Sequence, residues 1–64
     1  MENLYVLLKD GDWEDMIFYI HQEEAIQASI LYPKFRVEIF TKTNKGHFIP
    51  SYCYYKNGLF VEAQ

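Results

Sequence analysis

The chain has 64 residues, a net charge of −3 and one cysteine. That length allows a single domain, 1–64, near the lower limit for folding alone, and a lone Cys53 excludes an internal disulfide. A four-ligand zinc site would need Cys53, both histidines and a carboxylate, and no glycine-rich phosphate loop, HExxH, GxSxG or CxxC pattern occurs.

Leu4-Tyr5-Val6-Leu7-Leu8 is an unbroken apolar run of strand length. Asp10-Gly11 follows as a turn signal, because glycine reaches positive φ without steric cost. Met16 to Ile20 forms a second strand, so the two make a hairpin. The loop between them carries acids at alternate positions from Asp10. An EF-hand starting there would need Gly at 15 and Glu at 21, where Asp15 and His21 stand. A solvated loop with Trp13 folded over its base fits better, and Trp13 would also serve as an anchor for a partner.

The period then changes. Over Gln22–Leu31, Ala25, Ile26, Ser29 and Ile30 fall at helical spacing, with Glu23, Glu24 and Gln27 opposite. Glu23 and Glu24 favour the positive end of the helix dipole, whereas His21 is a weak N-cap. Pro33 ends the helix, since the residue before a proline is pushed out of the α region. Period two returns as Phe35, Val37, Ile39 and Thr41 alternate with Arg36, Glu38, Phe40 and Lys42. Thr43 to Gly46 is a turn. Phe48 to Lys56 is a strand interrupted by Pro50, which implies an edge, a bulge or a late start. Asn57-Gly58 is a type I′ hairpin pair, and Leu59 to Glu62 returns.

The expected fold is therefore α+β, in the order β-β-α-β-β-β, with one amphipathic helix on one face of a mainly antiparallel sheet. Strand order 2-1-3-4-5 centres the most apolar strand.

One helix covers one face. Assigning Leu4, Val6, Leu8, Met16, Phe18, Ile20, Val37 and Ile39 to that core leaves Tyr5, Leu7, Ile17, Tyr19 and Phe40 opposite. On the last hairpin Tyr52 and Tyr54 share a face, and Ile49, Cys53 and Tyr55 share the other. Contiguous exposed apolar surface marks interaction sites, and tyrosine tolerates being half wet. The expected surface is Trp13, Tyr5, Ile17, Tyr19, Phe40, Tyr52 and Tyr54, joining a second copy or another protein. A sheet curled onto itself is the structural alternative.

Two other functions compete. Arg36, Lys42, Lys45 and Lys56 interleave with Phe40, Tyr52 and Tyr54, as in surfaces that stack single-stranded bases beside a basic track. The acidic balance opposes this. A small-ligand pocket between the helix and the last hairpin is the other. Cys53 with His21 or His47 lacks a third group to orient the imidazole, so no catalytic residue is expected. No cofactor or metal is expected either. Residues 1–32 hold one Lys against seven acids, a sum of −6, and residues 33–64 hold five basic residues against two acids, a sum of +3. No apolar run approaches the roughly 18–20 residues of a membrane helix, and no basic region precedes an apolar stretch at the N-terminus. The expected place is the cytoplasm.

Asp-Gly-Asp-Trp-Glu-Asp at 10–15, Glu-Glu-Ala-Ile at 23–26, Arg-Val-Glu-Ile-Phe at 36–40, Ile-Pro-Ser-Tyr at 49–52 and Tyr-Tyr-Lys-Asn-Gly at 54–58 run through most of the chain. Together they resemble small proteins of large DNA viruses of the giant-virus type. The resemblance implies expression in the cytoplasm of an infected cell or a place in the virion. It carries no activity, cofactor or partner.

Overall fold

The computed structural model describes residues 2–9 and 15–62. In chain order the elements are β1 (Asn3–Leu8), β2 (Met16–Tyr19), α1 (Gln22–Leu31), β3 (Val37–Lys42), β4 (Phe48–Lys56) and β5 (Leu59–Val61). The five strands form one antiparallel sheet in the order β2-β1-β3-β4-β5. Element order, strand order and fold class match the sequence expectation. β1 lies antiparallel between β2 and β3, so those two run parallel to each other. The helix joins them by crossing over β1, and this holds it against a single face.

Turn chemistry sets the connections. Gly46 N–H donates to Thr43 O at 2.9 Å, and Thr43 N–H donates to His47 O at 2.7 Å. Gly46 sits at φ 83° to complete that hairpin. Asn57 and Gly58 both take positive φ, as a type I′ turn requires. At the helix C-terminus Tyr32 N–H donates to Ala28 O at 2.9 Å, and Phe35 N–H turns back to Tyr32 O at 3.0 Å. β3 therefore begins at Val37, and Phe35 packs against the core from the bend instead of from a strand. His21 makes no side-chain cap.

β4 carries a bulge. Glu38 pairs with Tyr54 and Phe40 with Pro50, so Ser51, Tyr52 and Cys53 all oppose Ile39. Two extra residues preserve the in–out alternation on either side. Tyr52 takes φ 65° at the apex, an uncommon conformation for a bulky residue. Ser51 stabilises the irregularity. Its hydroxyl donates to Ile39 O at 2.6 Å and accepts from Cys53 N–H at 3.2 Å.

The core corrects the expected assignment of faces. Tyr5, Leu7, Val37, Ile39 and Tyr55 pack under Ala25 and Ala28, with Ile17, Tyr19 and Cys53 beside them. Val37 and Ile39 were expected there. Leu4, Val6, Leu8, Met16, Phe18 and Ile20 were also expected there, but the strands turn them to the opposite face. The register shows why. Leu7 lies opposite Val37 and Tyr5 opposite Ile39, and directly paired residues share a face. The helix stripe is also displaced. Ala25 and Ser29 are buried and Ile26 packs against the core as expected, but Ala28 and Tyr32 complete the stripe and Ile30 is exposed. A stripe of small side chains lets the helix backbone approach the sheet closely, and the rings of Tyr5 and Tyr55 fill the space between.

Candidate interaction surface

The face turned away from the helix can be read row by row from the register. Met16 pairs with Leu8 at one end. The next row runs Phe18, Val6, Glu38, Tyr54, Val61, and the next Leu4, Phe40, Pro50. Lys42 and Phe48 close the far end. No helix among the described residues lies on this face. Leu8, Phe18 and Phe48 are exposed at 40%, 56% and 39%, and Ile20, just beyond β2, is exposed as well. Leu4, Ile20 and Phe48 line a hollow of about 350 Å³ at one corner. Val6, in the middle of these rows, is buried, and Leu4, Met16 and Phe40 are half-buried, so the exposed apolar side chains Leu8, Phe18, Ile20 and Phe48 lie around the margin of the face.

The charged groups on this face have partners within the chain. Arg36 pairs with the Glu38 carboxylate, and its guanidinium lies 4.5 Å from the centre of the Tyr54 ring. Lys56 Nζ donates to Pro33 O at 2.7 Å. Lys42 Nζ sits 3.7 Å from a Glu2 carboxylate oxygen. Lys45 stands exposed in the β3–β4 turn. Three of the four basic residues expected to contact nucleic acid are thus already engaged.

The expected surface residues divide accordingly. Phe40 and Tyr54 are on the bare face, and Tyr52 is exposed at the bulge. Trp13 lies outside the described residues. Tyr5, Ile17 and Tyr19 belong to the helix-covered side, with Tyr5 buried. Their places are taken by Leu4, Leu8, Met16 and Phe18, which the inverted parity had put in the core, and by Phe48, which had been assigned to neither face. The alternation of β3 marks only its own inward residues, Val37 and Ile39. That Tyr5 and Leu7 join them is set by the register, Leu7 opposite Val37 and Tyr5 opposite Ile39, which the all-apolar run of β1 does not signal.

Tyr19 has a measurable signature of its position. Burial, then the neighbouring Tyr32 and the Glu24 carboxylate, push its hydroxyl above the ordinary value of 10.0. Below that value Tyr19 is neutral whether the chain is folded or not, and adds no pH dependence. Above it the unfolded chain loses the proton first, so the folded state binds more protons and stability falls as pH rises. Denaturant midpoints measured from about pH 8 to 11 should show this alkaline loss, and Tyr19→Phe should make it shallower.

On the helix side, a cleft of about 270 Å³ opens between the start of α1 and the last hairpin. Tyr5, Tyr55 and Phe60 form its aromatic wall, with 6.1 Å between the two tyrosine ring centres. Gln22 Nε2 donates to the Tyr55 hydroxyl at 2.8 Å. Cys53 is half-buried in the wall, and its thiol lies 3.7 Å from Ser51 O. Neither histidine lines the cleft, and no charged side chain does. Among the described residues no three His, Cys, Asp or Glu groups converge as metal ligands, and no helix is long and apolar enough to cross a membrane.

No protein-family model matches this chain, and no curated protein or solved structure matches it either.

Proposed function

We propose that this chain is a non-enzymatic protein-interaction module whose working surface is the bare face of its sheet. The observation that carries the reading is the set of exposed apolar side chains Leu8, Phe18, Ile20 and Phe48 on one face, together with the half-buried Leu4, Met16 and Phe40. Apolar surface of this extent on a small domain is favourable to remove from water. The internal pairing of Arg36, Lys42 and Lys56 weighs against phosphate as the target, because a nucleic-acid surface keeps its cations free for the backbone. The cleft beside α1 favours small-ligand binding as the second reading. Its polar groups are largely satisfied by one another, which leaves few to fix a ligand's orientation. On the resemblance to proteins of large DNA viruses, the module's place is the infected cell's cytoplasm or the virion.

Site-specific photocrosslinking tests the reading. A benzophenone side chain placed at 18 should capture protein in the native setting. The same group at 27, on the outer helix surface, should not. Equal or absent capture at 18 would overturn it.

A further inference from the structure

We infer that Asn57 is a site of covalent self-modification, its side-chain amide converting to aspartate and isoaspartate, and that helix α1 gates the reaction through Ser29.

Asparagine occurs at 3, 44 and 57, followed by Leu4, Lys45 and Gly58. Of these followers only Gly58 offers a backbone nitrogen with no side chain beside it to crowd an attack. Asn57 is exposed, so water reaches it. The reaction is intramolecular. The Gly58 amide gives its proton to a solvent base, and its nitrogen attacks Asn57 Cγ. A carbon–nitrogen bond forms, the Cγ–Nδ2 bond breaks, and ammonia leaves, so a five-membered imide remains. Water then opens the imide. Attack at Cγ yields aspartate with the chain in its normal path. Attack at the Asn57 backbone carbonyl carbon leaves the chain running through Cβ and Cγ, which is isoaspartate. The net change is a water consumed and an ammonia released, with no oxidant or cofactor.

The fold withholds both reacting groups. Lys56 pairs with Leu59, so Asn57 and Gly58 are the whole turn, at φ 53° and 80°. A type I′ turn sets ψ of its first central residue near about +30°, which points Asn57 Cβ away from the Gly58 nitrogen. The imide needs those two atoms on the same side of the Cα–C bond, so the turn must open before the ring can close. The nucleophile is held as well. Gly58 N–H donates to the Ser29 hydroxyl at 2.9 Å, and Ser29 is fully buried under the hairpin. Ile30 covers the same glycine closely enough that a Cβ there would meet its Cγ1 at 2.9 Å. Conversion therefore proceeds from the state in which the last hairpin has left the helix, at a rate set by the population of that state.

The product changes the fold locally. Isoaspartate adds a backbone methylene to a two-residue loop, and the Lys56–Leu59 register no longer fits it. β5 is only three residues long, and its Phe60 ring meets Tyr55 edge-on at 5.9 Å. Modification releases that strand and uncovers Tyr55.

Intact mass and fragment spectra read conversion at 57 over time in mildly alkaline buffer, and hydrogen exchange reads the Gly58 amide. The folded wild-type chain should convert at least roughly tenfold more slowly than the same chain in denaturing urea. Ser29→Ala should speed conversion and Gly58 exchange together, on the order of tenfold. Ile17→Val, a loss of core packing on the β2 flank, should leave both rates near those of the wild type. If the far-UV spectrum shows Ser29→Ala to be unfolded, Ile30→Ala takes its place, with a several-fold increase expected. Absence of conversion at 57 even in urea would overturn the site. Wild-type conversion as fast in buffer as in urea would overturn the gate. So would an unchanged rate in Ser29→Ala, or an equal acceleration in Ile17→Val, which would make the opening global.

Discussion

Leu7→Ala is expected to lower stability by about 2–5 kcal/mol, and Leu8→Ala by less than about 1 kcal/mol, as measured by urea titration of the far-UV signal. The two leucines are adjacent in β1 and chemically identical, so only the face distinguishes them. Leu7 is fully buried at 0% exposure and Leu8 is 40% exposed. Truncating Leu7 removes packed atoms and leaves a cavity under a helix stripe of Ala25 and Ala28, which has no long side chains to collapse into it. A domain of this size nets about 3–5 kcal/mol in total. Leu7→Ala should therefore populate the unfolded state in water, whereas Leu8→Ala should fold normally. The reverse ranking would mean that the sheet presents its other side to the helix.

The second large effect lies where the helix meets the last hairpin. Ser29 is fully buried. Its hydroxyl donates to Ile26 O at 2.7 Å and accepts from Gly58 N–H at 2.9 Å. Ser29→Ala leaves that amide without its acceptor, and the expected loss is about 1–3 kcal/mol. Gly58→Ala fails for a different reason. Gly58 holds φ +80°, and an added Cβ would come within 2.9 Å of Ile30 Cγ1. The left-handed conformation alone costs an alanine about 1–2 kcal/mol. Ile30→Ala in the Gly58→Ala background should recover the steric part and leave the conformational part. Urea midpoints of the four proteins in that cycle separate the two contributions.

How far the sequence could be read follows from these same residues. The elements and their order are written in local chemistry. Asn57-Gly58 dictates its hairpin, Pro33 closes the helix, and the alternation from Val37 to Lys42 identifies a strand with two unlike faces. Strand order follows from placing the most apolar strand in the interior. The choice of face is not written locally. Leu4 to Leu8 is apolar at every position, and so is Met16 to Ile20, so neither has a period that prefers one side. That choice depends on volume across the interface. The inward helix positions are Ala25, Ala28 and Ser29, and they are small. Tyrosine rings with Leu7 and Ile17 fill the space against them, and Leu4, Val6, Leu8, Met16 and Phe18 of the same strands are left on the other face. Reading the helix stripe one step off, with Ile30 in and Ala28 out, conceals that complementarity. The candidate surface was legible as a leftover face rich in apolar residues. Its membership had to wait for the pairing of Leu7 with Val37.

Pro50 gives the molecule a further property. It lies opposite Phe40 in β4, and its neighbours Thr41 and Ile49 are the pair aligned with the bonded turn residues Thr43 and His47. The missing N–H of Pro50 thus belongs to the outer rim of β4, beyond the reach of the three-residue β5. A strand from another molecule attempting to extend the sheet there finds a gap in the donor ladder. Growth by endless lateral addition, the route to filaments, is interrupted at that rim.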